Sequence, residues 1–145
     1  MDYRKGSHTT YAIEYHFVWS TRYRRKALRG DVAERLRELV RQTCEAMEVR
    51  ILSGVVSADH VHILVSAPPQ WAPSEVMRRV KGRTAKRLLD DFPRLKKQFW
   101  GRHVWARGYF CVTSGAMTRE KIEEYLAHHF EPKGGADNFE IESAA

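Results

Sequence analysis

The sequence predicts an α+β fold of the ferredoxin-like type: βαββαβ, a four-stranded antiparallel sheet with two helices on one face, plus a C-terminal helix. Three observations predict it. Apolar residues alternate over 11–19; they recur at helical spacing over 32–47 and again over 76–89; and two Val/Ile-rich runs, 49–56 and 61–66, are separated only by Ser57-Ala58-Asp59. Strand, helix, hairpin, helix and strand in that order place both helices on one side of the sheet. The other side is left open for a ligand, a partner subunit or the extra helix.

Each element has its own signal. Residues 1–10 are polar and expected to be mobile. In the first strand Tyr11, Ile13, Tyr15, Phe17 and Trp19 share one face, with Glu14 and His16 on the other. Asp31 is a plausible N-cap for a helix whose stripe is Val32, Leu36, Leu39, Val40 and Met47. The hairpin follows. Pro68, Pro69 and Pro73 punctuate a loop, and a second helix runs from Pro73-Ser74 to Leu89 with Val76, Val80, Leu88 and Leu89 inward; Phe92-Pro93 ends it. Residues 94–103 read as basic and irregular. A fourth strand lies within 104–113, centred on Tyr109 to Val112. Thr118 can cap a last helix reaching about Phe130, and Pro132-Lys133-Gly134-Gly135 stops it. The domain is thus 11–131, and 132–145 reads as a loose tail.

Composition narrows the function. A chain of 145 residues, 43% hydrophobic, suits one core. No apolar run approaches the roughly 20 residues that span a bilayer, and no secretory h-region follows Met1, so a cytoplasmic protein with no membrane partner is expected. Cys44 and Cys111 lie far apart and read as reduced core residues. The formal net charge of +7 favours a polyanionic partner if it is concentrated. It clusters in two places. Arg22, Arg24, Arg25 and Lys26 surround Tyr23 after the first strand, and Arg79, Lys81, Arg83, Lys86 and Arg87 line the second helix. Cations can meet phosphates and the interleaved tyrosine can stack an unpaired base, although charge runs most often end as solvated faces.

The densest chemistry is Asp59-His60-Val61-His62. Side chains alternate on a strand, so His60 and His62 share a face while Val61, Ile63 and Val65 pack beneath the helices. Two imidazoles at this spacing can reach one divalent ion, but the pair is not specific to one enzyme class, and a histidine on a strand is commonly structural. On the last helix Ile122, Tyr125, Leu126, His129 and Phe130 share a face. Tyr125 can be an ordinary apolar-face aromatic. If this helix packs on the open face, His129 can complete a three-ligand set and Tyr125 lies one turn from the metal, where a phenol can attack a metal-bound phosphate.

An ordered set of motifs makes the chain resemble the single-tyrosine HUH transposases (TnpA type) of the smallest bacterial insertion sequences. They are Tyr15-His16-Phe17-Val18-Trp19 leading to Arg22-Tyr23-Arg24; Asp59-His60-Val61-His62; Val80-Lys81-Gly82-Arg83-Thr84-Ala85-Lys86; Trp105 with Gly108-Tyr109-Phe110; and the Tyr125 helix. The resemblance covers residues 11–131. It implies Mg²⁺ or Mn²⁺, attack by Tyr125 on single-stranded DNA to give a 5′-phosphotyrosine and a free 3′-hydroxyl, rejoining by a second transesterification, imperfect hairpins at element ends as recognition signals, and a homodimer whose tyrosine helix can act in trans. The family often has glutamine four residues after the tyrosine; here it is His129, which leaves Mg²⁺ or Mn²⁺ open. No general base stands out; Asp59, Glu14 and His16 are candidates. A domesticated endonuclease serving the host is an alternative, as is a non-catalytic single-strand-binding module, which leaves the histidine pair without a role. A histidine-triad hydrolase fits poorly because Leu64 occupies its third histidine position.

Overall fold

The computed structural model describes residues 3–100, 103–113 and 139–142. A short hairpin, β1 (Arg4–Lys5) and β2 (Thr10–Tyr11), precedes β3 (Glu14–Ser20), α1 (Gly30–Ala46), β4 (Arg50–Val56), β5 (His60–Ser66), α2 (Pro73–Asp91), α3 (Pro93–Gln98), β6 (Phe110–Thr113) and β7 (Glu140–Ile141). The main sheet has the order β6-β3-β5-β4-β7. Its first four strands pair antiparallel throughout, and β7 adds to β4 in parallel. This is the expected ferredoxin-like sheet with one short strand more.

Periodicity explains the layers. Val61, Ile63 and Val65 of β5 and Phe17 and Trp19 of β3 are at most 1% exposed and meet Leu36, Leu39 and Val40 of α1 and Val76, Val80 and Leu88 of α2 in one core. At roughly 25 cal/mol per Å² of apolar surface removed from water, this two-layer core is the main stabilising term. Val18 faces the other way and gathers Phe110 and Val112 into a small separate cluster on the face away from the helices.

Four expectations need correction. Asp31 is not the N-cap: the cap is Arg29, two residues earlier, and Asp31 sits in the first turn, where its carboxylate accepts from Val32 N at 2.9 Å. The basic stretch after Phe92 is not irregular at its start. Pro93 in the first turn, with φ already set for a helix, opens α3, which buries Leu95, and Phe99 just beyond it, against the core. The N-terminal segment, expected to be mobile, is tied down where it is described: Arg4 donates to Ser66 O at 2.9 Å and to Glu48 O at 2.8 Å.

The fourth concerns the end of the chain, expected to be a loose tail. Over 139–142 it is part of the fold. Phe139 is fully buried, Glu142 N donates to Val56 O at 2.8 Å, and Ser57 Oγ donates to the Glu142 carboxylate at 2.9 Å. Gly54 makes room for the ring: a Cβ there would lie 2.9 Å from Phe139 Cδ1 and 2.9 Å from Ile63 Cγ2. Phe139→Ala is therefore expected to destabilise the protein by about 3 kcal/mol, the usual cost of a buried aromatic cavity. Urea unfolding measures it, and an unchanged midpoint would show that this segment does not hold the fold.

Candidate active site

β5 carries the histidine pair as expected. His60 and His62 lie on the face opposite the apolar Val61, Ile63 and Val65; His60 is 1% exposed and His62 is partly buried. Asp59 Oδ1 lies 2.9 Å from His60 Nδ1, and Asp59 Oδ2 accepts from Arg24 Nη2 at 2.7 Å. Burial alone pushes the Asp59 carboxyl up, but the hydrogen bonds from His60 and Arg24 outweigh it and hold the group below its ordinary value.

His62 has a neighbour whose closeness only the sheet register reveals. Val18 pairs with His62 and His16 with Leu64, so His16 is the diagonal neighbour of His62 across β3 and β5. His16 Nδ1 and His62 Nε2 are 3.1 Å apart, with the rings stacked at a centroid distance of 5.4 Å. Burial pushes His62 down to about 4, with His16 and His60 adding to the shift; burial also lowers His16, against the pull of Glu14. His62 is thus neutral at pH 7, the form in which an imidazole ligates a metal.

The same shift makes the metal-free fold acid-sensitive. Above pH ~6.5 His62 is neutral folded or unfolded, and its contribution is complete. As pH falls from there toward about 4, the unfolded chain takes up a proton that the folded one refuses, so stability drops. The expected loss across that window is about 2–3 kcal/mol at 1.36 kcal/mol per pH unit. Denaturant titrations in chelator at pH 7 and pH 4.5 measure it, and His62→Gln should flatten the difference.

Asp59 on Nδ1 of His60 is the carboxylate–histidine arrangement that commonly orients metal ligands, and it makes Nε2 the nitrogen with which His60 would ligate. Ligation through His62 Nε2 would exchange its contact with His16 for the metal. The pair therefore fits a divalent ion as part of a ligand set. Among the described residues no group of three His, Cys, Asp or Glu could hold one. Tyr125 and His129, expected to complete the site, lie outside the described residues.

The basic residues divide by what they touch. Tyr23 is 69% exposed, with the Arg22 and Arg25 guanidiniums 5.1 and 5.8 Å from its ring centroid. Arg24 turns inward to Asp59. On α2, Arg83 and Lys86 are exposed, and with Arg79, Arg87, Gln42 and Thr43 they line a groove between the helices of about 580 Å³. That groove lies on the opposite layer from the histidines. Lys81 departs from the expectation of a DNA-facing cation. Its Nζ donates to Ala106 O at 2.9 Å and Gly108 O at 2.8 Å, beside the Trp105 Nε1 to Thr84 Oγ1 bond at 3.0 Å. The motif on α2 and the Trp105–Phe110 motif, far apart in sequence, thus pin one another and set the approach to β6.

Residues 9–129 match the family described as "Transposase IS200 like". The chain belongs to this family. Its relatives agree: the ISDra2 transposase TnpA of Deinococcus radiodurans is 33% identical over 126 residues, covering 87% of this chain and 90% of that protein. The transposase for insertion sequence element IS200 of Salmonella typhimurium is 35% identical over 130 residues, covering 90% and 85%. A solved transposase structure from Deinococcus radiodurans superposes with a TM-score of 0.78 at 32% identity, over 86% of this chain and 96% of that one. A REP-associated tyrosine transposase, solved bound to a REP hairpin, shares the fold at a TM-score of 0.56 and 14% identity, over 86% and 75%. The IS200-like transposase is an enzyme of DNA transposition, which sets aside the hydrolase and the non-catalytic module. Among its described residues no helix is long and apolar enough to cross a membrane.

Proposed function

We propose that this transposase cuts and rejoins single-stranded DNA at insertion-sequence ends, with Tyr125 as nucleophile and His60, His62 and His129 as ligands of Mg²⁺ or Mn²⁺. The observation that carries the reading is the placement of His60 and His62 on the sheet face away from the helices, with Asp59 on the far nitrogen of His60. Family membership supports the tyrosine chemistry. When bound, the metal supplies positive charge that polarises the scissile phosphate and favours the phenolate.

The chain's own residues do the rest. The Tyr125 oxygen attacks phosphorus in line and forms a 5′-phosphotyrosine; the bond to the 3′ oxygen breaks, and that oxygen leaves as a 3′-hydroxyl with a proton. The phosphotyrosine keeps the energy of the broken linkage, so a 3′-hydroxyl can attack it and restore a phosphodiester without a nucleotide cofactor. Asp59 holds His60 in one tautomer. Tyr23 offers a base-stacking face flanked by Arg22 and Arg25, and Arg83 and Lys86 provide a second contact for phosphates. Imperfect hairpins at the element ends are the recognition signals in this reading, and the active enzyme is a homodimer.

The test is incubation with a hairpin-bearing single strand and Mn²⁺. A covalent protein–DNA adduct and a free 3′-hydroxyl are expected, and chelator should prevent both; duplex DNA of the same sequence cut equally well would overturn the single-strand assignment. Binding should weaken about 50-fold or more between 50 and 200 mM salt if four or more phosphates of a single strand are contacted. A flat response in a filter-binding assay would remove the phosphate contacts.

A further inference from the structure

The turn after β3 carries two successive non-glycine residues in left-handed backbone, Tyr23 at φ 58 and Arg24 at φ 56. Such a conformation is strained for a non-glycine residue and persists only where its surroundings hold it. Here the surroundings are the residues next to His60. Thr21 N donates to Asp59 O at 2.9 Å, Thr21 Oγ1 donates to Arg25 O at 2.7 Å, and Leu28 N donates to Ala58 O at 2.9 Å. The turn is thereby fastened to the start of β5.

The two strained residues make different contacts. Tyr23 is 69% exposed to solvent. The Arg24 side chain, 38% exposed, turns its guanidinium to a carboxylate that is 5% exposed. The two oxygens of Asp59 are divided, Oδ2 to Arg24 and Oδ1 to His60, so the carboxylate plane is fixed from both sides. A buried carboxylate that lost its guanidinium would be left with the imidazole alone and would turn away toward water.

We propose that Arg24 is a positioning residue for His60 rather than a phosphate ligand: it pins Asp59, Asp59 holds the His60 ring with its proton on Nδ1, and the Tyr23 turn and the histidine strand move as one body. The proposal rests on the reading that His60 ligates the metal. It also accounts for the strain, because relaxing Arg24 to an ordinary backbone conformation would release the side chain from Asp59.

The test uses the full chain with Arg24→Gln, Arg24→Lys and Arg25→Gln. In metal-free protein, ring-nitrogen NMR of His60 is expected to show a single Nδ1–H tautomer in the wild type and a mixture in Arg24→Gln. Mn²⁺ affinity should fall 10- to 100-fold in Arg24→Gln, the range for lost outer-shell partners. Arg24→Lys, which keeps the charge without the planar fork, should restore part of that loss and shows that the effect is not unfolding. The salt slope of single-strand binding in chelator should drop by about one in Arg25→Gln and stay unchanged in Arg24→Gln. An unchanged tautomer and Mn²⁺ affinity with a reduced salt slope in Arg24→Gln would overturn the proposal and make Arg24 a phosphate contact. A changed tautomer, with wild-type Mn²⁺ affinity equal to that of His60→Ala, would uphold the hold on the ring and overturn the metal assignment of His60 instead.

Discussion

Tyr125→Phe is expected to abolish the covalent protein–DNA adduct and to lower strand cleavage by about 10⁴-fold or more. The substitution removes one oxygen and keeps the ring, so single-strand affinity should change less than about twofold. The loss is large because no other oxygen is proposed to reach phosphorus. At neutral pH only about 0.1% of a free phenol with pKa ~10 is ionised, so the proposed role needs a cation beside the phenol, and a water molecule in its place would lack both the covalent tether and the stored bond energy. Denaturing electrophoresis of protein with end-labelled hairpin DNA reads the outcome directly. An adduct formed by Tyr125→Phe would mean that another residue is the nucleophile. Mixing Tyr125→Phe with His62→Ala subunits extends the experiment: recovery of cleavage places the tyrosine of one protomer at the histidines of its partner, and its failure places both in one chain.

His62→Ala is expected to weaken Mn²⁺ binding by more than ~100-fold, exceeding the loss from an outer-shell partner because a ligand itself is removed. His60→Ala should match it, and cleavage should fall in parallel at limiting metal. His16→Ala makes the comparison informative. His16 lies 3.1 Å from His62 but is outside the proposed ligand set, so its loss should shift metal affinity less than tenfold. Calorimetric titration of the three variants ranks them. Equal losses at His16 and His62 would make His16 a ligand, and no loss at His62 would end the metal reading of this strand.

Much of this protein was legible before folding, and the reason differs between elements. The alternation Val61, Ile63, Val65 against His60, His62 is a property of one strand, and it placed the histidines on the correct face. The stripes of α1 and α2 are likewise local: the residues they named are buried, Met47 at the C-cap of α1, together with Ala33, Thr43 and Cys44 on α1 and Met77 and Thr84 on α2, which the stripes did not name. α3 was missed because its six residues are too short for a period to show, and only the burial of Leu95 and Phe99 against distant elements stabilises it. β7 was missed because two residues carry no periodicity, while Gly54, which admits Phe139, lies 85 positions away.

The charges mislead in the same way. Arg24 and Lys81 sit in runs of cations and read as surface groups, yet one is taken by Asp59 and the other by the carbonyls of Ala106 and Gly108. Nothing in either run marks which member turns inward, because that choice depends on backbone φ at Arg24 and on a loop packed against α2.

Periodicity, turn residues and composition by themselves determined the order of the elements, the two-layer core, the shared face of His60 and His62 and the cationic character of the chain, since each is a one-dimensional pattern that water reads directly as burial or exposure. Tertiary structure alone decided the register that brings His16 to His62, the Arg24–Asp59–His60 chain, the internal role of Lys81 and the docking of Phe139. Those contacts join residues 25 to 85 positions apart or turn on a single backbone angle, and they exist only once strand pairing and close packing leave each polar group one place to be satisfied.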